Sequence, residues 1–248
     1  MSGHSKWSTI KRKKGAKDAQ RSKVFSKLIR ELTVASRMGG SDLEGNPRLR
    51  LAVQRARAVN MPQDNIKKAI QKGTGDLEGA VYEEIVFEGF GPGGVAVLVE
   101  CMTENRNRTV NDVRHVFDRF GGNLGQQGSV AHQFVTRGYV AVDRNAVDED
   151  TLITVALDGG ADDVRRDGDT LEVLTAPGAL DAVTRALEGA AIGFETAEVA
   201  RLPLLVVPLE GRQAGQMLKL MDAMEDLDDV QKVYANFDIA DDEMAQAG

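Results

Sequence analysis

The sequence predicts an α+β protein of three domains: a basic N-terminal three-helix domain and two α/β domains, at least one of them ferredoxin-like with βαββαβ order. Three observations predict it. Apolar residues recur at helical spacing up to about residue 72 and at strand spacing after about residue 80. The sign of the charge changes at the same place. From Tyr139 onward the elements follow the order of a split βαβ unit. A length of 248 residues corresponds to about two domains at ~150 residues each, with one or three within range.

The first ~20 residues read as a basic arm, in which Lys6, Lys11, Arg12, Lys13, Lys14 and Lys17 crowd around only two bulky apolar residues, Trp7 and Ile10. Phe25, Leu28, Ile29, Leu32 and Ala35 then follow the i, i+3, i+4, i+7 rule and define a helix whose opposite side carries Lys27, Arg30 and Arg37. Gly39-Gly40 ends it. Asn46 suits the N-cap and Pro47 the first position of a second helix. Its apolar face is Leu49, Ala52, Val53, Ala56 and Val59, with Arg50, Gln54 and Arg57 pointing away. A third helix begins at Met61-Pro62, with Ile66, Ala69 and Ile70 inside, Lys67, Lys68, Gln71 and Lys72 outside, and Gly73 as its stop.

Residues 73–79 read as a linker. Glu84–Phe90 and Val95–Met102 are then expected as strands of a hairpin turning at Gly91-Pro92-Gly93-Gly94. Val110, Val113, Val116, Phe117 and Phe120 mark a helix ended by Gly121-Gly122, and Ala131–Val135 reads as a further strand. The βαββαβ run comprises strand 139–142, helix 148–157, strands 163–166 and 170–174, helix 178–187 and strand 195–200. A strand over 204–209, a helix over 213–224 and a strand over 230–236 follow. The first α/β run has too few elements to close alone, so 203–240 is expected to complete it. The expected division is 1–77, then 78–135 with 203–240, then 136–202 as an insertion, with 241–248 as an acidic tail.

The net charge of −7 hides an asymmetry. Residues 1–72 hold 18 Lys and Arg against 5 Asp and Glu, a net of +13, and the remainder holds 13 against 33, a net of −20. Such a split points to a basic module that meets a polyanion, joined to an acidic body. The candidate phosphate-contacting residues are Lys6, Lys11, Arg12, Lys13, Lys14, Lys17, Arg21, Lys23, Lys27, Arg30, Arg50, Arg57, Lys67, Lys68 and Lys72. Phosphate contact needs only charge density and reach, so these residues do not separate DNA from RNA. Trp7 and Phe25 offer little for base stacking.

Catalytic constellations are not found. His4, His115 and His132 are far apart in sequence, and Cys101 lies in an apolar strand where a small buried side chain fits. No nucleophile elbow, phosphate-binding loop or zinc motif is present. The chain is expected to need no cofactor and no metal and not to be an enzyme. Asp222, Glu225, Asp226, Asp228 and Asp229 cluster at a helix C-terminus, where acids oppose the macrodipole. A solvated surface is the plainer account of them; the others are contact with a basic partner and electrostatic exclusion from nucleic acid. The loop Gly121–Gly128 is longer than a helix cap requires, and reads either as a connector or as a surface for RNA or protein. No apolar run approaches the ~18 residues of a membrane span, and the N-terminus lacks the apolar core of a secretory signal. The expectation is a cytoplasmic protein.

Gly3-His4-Ser5-Lys6-Trp7, the run Lys23–Leu32, Asn46-Pro47-Arg48-Leu49-Arg50 and Asn60-Met61-Pro62 resemble the YebC/PmpR family, as do Glu88–Gly94 and Gly121–Gly125. Gln126-Gln127 departs from that pattern, where a more acidic or proline-containing stretch would stand. The resemblance implies an N-terminal helical domain and two α/β domains. It also implies nucleic-acid binding in gene expression, either as a DNA-binding transcriptional regulator or as a translational activator acting on ribosomes. With the charge split, the expected function is a non-enzymatic, DNA-binding transcriptional regulatory protein. The alternative is a translation factor associated with ribosomal RNA. Basic proteins are the partners that the acidic C-terminal surface would suit.

Overall fold

Three helices open the described part of the chain because each carries one apolar stripe and the stripes can meet only at a common centre. The structure is a computed structural model; it describes residues 18–240, and side chains from residue 22 onward. Helix α1 spans Asp18–Gly39, α2 Pro47–Ala58 and α3 Gln63–Thr74. Leu28, Leu32 and Ala35 of α1 pack with Leu49, Ala52, Val53 and Ala56 of α2 and with Met61, Ile66 and Ala69. Asn46 joins the first two helices. Its side-chain oxygen accepts from the Leu49 amide at 3.1 Å, and its side-chain nitrogen donates to the carbonyls of Ala35 and Gly40 at 2.8 and 2.9 Å. One residue thereby satisfies the start of α2 and the end of α1.

Gly73 does not stop α3. The helix continues to Thr74, and Gly75, at φ 88°, is the left-handed cap. Gly73 instead lies where α3 crosses α1. A Cβ at this position would overlap the Ser36 hydroxyl and the Thr33 carbonyl. Those two small side chains use the close approach: Thr33 Oγ1 lies 3.2 Å from the Ala69 carbonyl and Ser36 Oγ 3.2 Å from the Ile70 carbonyl.

Strands β1 (Glu83–Phe90) and β2 (Ala96–Thr103) form an antiparallel hairpin through a short 3-10 turn at Pro92–Gly94. Helix α4 (Arg106–Arg119) and the short β3 (Asn123–Leu124) follow. From the far end of the chain come β8 (Val207–Pro208), helix α7 (Gly211–Glu225), β9 (Val230–Ala235) and β10 (Phe237–Asp238). The sheet order is β3-β1-β2-β9, with β9 antiparallel to β2, so strands from before and after residues 134–202 share one sheet. Its core packs Val97, Val99 and Cys101 of β2 against Val113 and Phe117 of α4 and Met217, Leu220 and Met221 of α7. These segments and the three helices make one compact unit, and residues 134–202 make another.

The second unit contains β4 (Phe134–Asp143), α5 (Glu149–Asp158), β5 (Asp163–Asp167), β6 (Thr170–Thr175), α6 (Leu180–Gly189) and β7 (Thr196–Pro203). The sheet order is β5-β6-β4-β7, with β6 antiparallel to both neighbours, which is the split βαβ arrangement expected from the sequence.

Two strands differ from expectation. Residues 131–133 form a 3-10 turn, and a single strand starts at Phe134, because the Val130 and Ala131 amides donate to a side-chain carboxylate rather than to a ladder. Of 204–209 only Val207–Pro208 pairs, in parallel with Phe237–Asp238. Pro203 and Pro208 lack the N–H a longer ladder would need. Gly73→Ala is expected to destabilise the chain by about 1–3 kcal/mol through overpacking. Gly215→Ala in α7, where an added Cβ meets open space, should stabilise it by ~0.5–1 kcal/mol. Urea midpoints at unchanged slope measure both.

Candidate nucleic-acid interface

Lys23, Lys27 and Arg30 are spaced i, i+4, i+7 and so share one face of α1. That face meets the carboxyl end of α7. Lys23 Nζ lies 3.1 Å from Asp226 Oδ1 and 3.3 Å from the Asp226 carbonyl oxygen. Lys27 Nζ donates to the Glu225 carbonyl at 2.7 Å. Arg30 donates to the Asp228 carbonyl and lies 3.2 Å from Asp229 Oδ1. The last carbonyls of a helix have no partner within it, and the helix dipole makes this end negative. The last turn of α7 carries no basic residue of its own, so α1 supplies the cations. The acidic cluster is therefore not simply a solvated surface, and its basic partner is the same chain.

Asp229 is the buried centre of this contact, with only 7% of its side chain exposed. Its Oδ2 lies 2.8 Å from Arg108 Nη2, 2.8 Å from Thr109 Oγ1 and 3.2 Å from Thr103 Oγ1. Its backbone carbonyl accepts from the Met102 amide at 2.8 Å. One carboxylate thus ties the end of β2 and the start of α4 to α1. Burial pushes this carboxyl up, but Arg108, Thr109 and Arg30 outweigh it and hold it below the usual carboxylate range.

Two more cations of the helical module are internal. The Arg48 guanidinium reaches Glu31 at 2.7 Å and Glu84 at 2.7 Å, joining α2 to α1 and to β1. Arg50 donates to the Leu43 carbonyl at 3.1 Å and is half-buried rather than pointing away. The exposed cations of the module's described helices are Arg37, Arg55, Arg57, Lys67, Lys68 and Lys72. Lys67, Lys68 and Lys72 lie on the solvent side of α3, opposite Ile66 and Ala69. Lys6, Lys11, Arg12, Lys13, Lys14, Lys17 and the side chain of Arg21 lie outside the described residues, as does the expected acidic tail 241–248.

The Gly121–Gly128 loop is held by Glu88, a residue that reasoning from sequence motifs does not single out. Its buried carboxylate accepts from the amides of Gly128 at 2.6 Å, Val130 at 2.8 Å and Ala131 at 2.8 Å, and its carbonyl accepts from Gly125 at 2.8 Å. Burial raises the Glu88 carboxyl, and the three amide bonds with His132 nearby bring it below its ordinary value. The signal in the sequence is an acid flanked by Phe87 and Phe90 in an apolar strand. The loop thus has a fixed shape, and Gln126, Gln127 and Gly128 are exposed on it. Cys101 is buried, and burial pushes its thiol up to about 12, so it is not poised as a nucleophile. Among the described residues no group of three His, Cys, Asp or Glu could hold a metal ion. Among them, too, no helix is long and apolar enough to cross a membrane.

Comparison with known proteins gives this geometry a setting. Residues 5–76 match the TACO1/YebC protein N-terminal domain, and residues 82–237 match the TACO1/YebC second and third domain. The chain belongs to the TACO1/YebC family. A relative from Desulforapulum autotrophicum is 57% identical over 242 residues, covering 98% of both chains, and one from Geobacter sulfurreducens is 57% identical over 244 residues with the same coverage. Both are named "Probable transcriptional regulatory protein". The crystal structure of a conserved hypothetical protein from Aquifex aeolicus superposes with a TM-score of 0.83 at 46% identity, covering 90% of this chain and 93% of that one.

In this TACO1/YebC chain the candidate cations among the described residues fall into two sets. Lys23, Lys27, Arg30 and Arg50 are engaged within the fold, and Arg57, Lys67, Lys68 and Lys72 face outward. Replacing Asp229 by Ala leaves Arg30, 16% exposed, beside an emptied acceptor, and should cost about 3–5 kcal/mol. The depressed carboxyl also sets a pH dependence. Its contribution is full above the ordinary carboxyl range and is lost as pH falls through the lower folded-state value. Urea titrations below about pH 5 should show wild type losing stability and Asp229→Ala lacking that part of the slope.

Proposed function

We propose that this chain is a non-enzymatic, nucleic-acid-binding regulator of gene expression, with duplex DNA as its partner and transcription as its level of action. The observation that carries the reading is the outward cationic face of α3. Lys67, Lys68 and Lys72 remain exposed in a fold that uses Lys23, Lys27, Arg30, Arg48 and Arg50 internally. The basic run 6–21 precedes this module in sequence and adds to the same charge. The names carried by the relatives agree with a regulatory role. In this reading 1–77 grips phosphates, 78–135 with 203–240 forms the central domain and 136–202 is inserted in it. The acidic remainder, the tail 241–248 included, is left for basic protein partners. The setting is the cytoplasm.

A second reading, a translation factor on ribosomal RNA, draws on the Gly121–Gly128 loop. A loop fixed to Glu88 by the Gly125 and Gly128 amides, and just beyond it by those of Val130 and Ala131, can meet a structured RNA without first being ordered, which removes an entropic cost of binding.

Replacing Lys67, Lys68 and Lys72 together by Gln should weaken binding to mixed-sequence duplexes uniformly. The slope of log affinity against log salt should fall by about 0.9 for each phosphate that is no longer neutralised. Unchanged affinity in dilute buffer would remove α3 from the interface. Sucrose-gradient sedimentation of lysate separates the two levels. Cosedimentation with ribosomal particles favours the second reading, and confinement to the top fractions the first.

A further inference from the structure

We propose that the α1 face formed by Lys23 and Lys27 is a second phosphate-binding surface held occupied by the acidic end of α7, so that nucleic acid competes with the chain's own helix terminus. The inference rests on the nucleic-acid reading above and concerns how that binding is restrained.

The chemistry of the contact is that of a phosphate backbone. Two ammonium groups meet the Glu225 and Asp226 carbonyls and the Asp226 carboxylate at 2.7–3.3 Å. The shortest of them, from Lys27, lies at the distance at which an ammonium meets a phosphate oxygen. The two ends of the contact differ in burial. Arg30 and Asp229 are 16% and 7% exposed, and Asp229 is also held by Arg108, Thr103 and Thr109. Lys23 and Asp226 are 41% and 67% exposed, and each has water as an alternative partner. Exposed pairs of this kind are worth little and weaken with salt. Release therefore starts at Lys23, the end nearer in sequence to the basic run 6–21, while Arg30–Asp229 stays closed as the fixed end. Whatever binds the freed face must first break this contact, so the contact lowers the affinity by the factor that breaking it costs.

The test uses the full chain and a labelled mixed-sequence DNA duplex, with an RNA of the same sequence in parallel, followed by fluorescence anisotropy across a salt series. Asp226→Asn removes the carboxylate from Lys23. It should tighten binding by about two- to fivefold and steepen the salt slope by about 0.9 for each additional phosphate neutralised. Asp228→Asn removes the same charge two residues away, where Arg30 uses only the backbone carbonyl. It should leave affinity near that of wild type. Adding Lys23→Gln to Asp226→Asn should cancel the gain. Equal affinity of Asp226→Asn and wild type overturns the proposal and leaves the nucleic-acid reading standing. So does an equal gain from Asp228→Asn, or a gain that survives Lys23→Gln. If no chain, wild type included, binds either probe in dilute buffer, the underlying reading falls and this proposal with it.

Discussion

The carboxyl end of α7 concentrates more negative potential than its own sequence can neutralise. Its last carbonyls have no partner within the helix; those of Asp222 and Met224 accept from the Asp226 and Leu227 amides just beyond it, and Asp222, Glu225 and Asp226 sit in or beside the last turn. Asp228 and Asp229 follow immediately. Cations brought to a helix end of this kind stabilise it. The chain brings them from α1, 203 residues earlier for Lys23 and 198 for Lys27. Because Asp229 also binds the end of β2 and the start of α4, the place of α1 on the sheet and the closure of α7 at its carboxyl end depend on the same few contacts.

This constraint changes how the charge of the first 72 residues is to be understood. A net of +13 describes the chain as a polymer, and the fold uses part of it. Lys23, Lys27 and Arg30 neutralise a helix end, Arg48 neutralises Glu31 and Glu84, and Arg50 fills a carbonyl near its own helix start. What remains outward on the described helices is a smaller set in which α3 carries three lysines. The acidic body is likewise less acidic at its surface than its net of −20 suggests, since Asp229 and Glu88 are buried and satisfied.

Local signals are legible in the sequence wherever the deciding partners are near neighbours. Asn46-Pro47 marks the start of α2 because the cap bond runs only three residues, to Leu49. The βαββαβ order of the second unit follows from apolar spacing, with β5 and β6 pairing as that spacing demands. Gly73 misleads because a glycine near the end of an apolar pattern looks the same whether it caps a helix or admits another helix against it. The cations of α1 mislead for a related reason. Lysine on the polar side of an amphipathic helix faces water or a distant acid, and no spacing rule sees across 198 residues.

Glu88 shows the same principle with the sign reversed. There a carboxylate is surrounded by backbone amides, and three hydrogen bonds offset the cost of burying its charge. The acid is lost to the surface, and in exchange the Gly121–Gly128 loop has a defined shape that its glycines alone would not give. At α7 the carbonyls are the surplus and lysines answer them; at Glu88 the amides are the surplus and a carboxylate answers them. Both arrangements use a charged side chain to settle backbone groups that secondary structure leaves unpaired. A charge so used cannot also be counted toward a partner unless that partner replaces it. Among the described residues, the exposed half of the α1–α7 contact is where structural and binding roles of the same lysines can exchange.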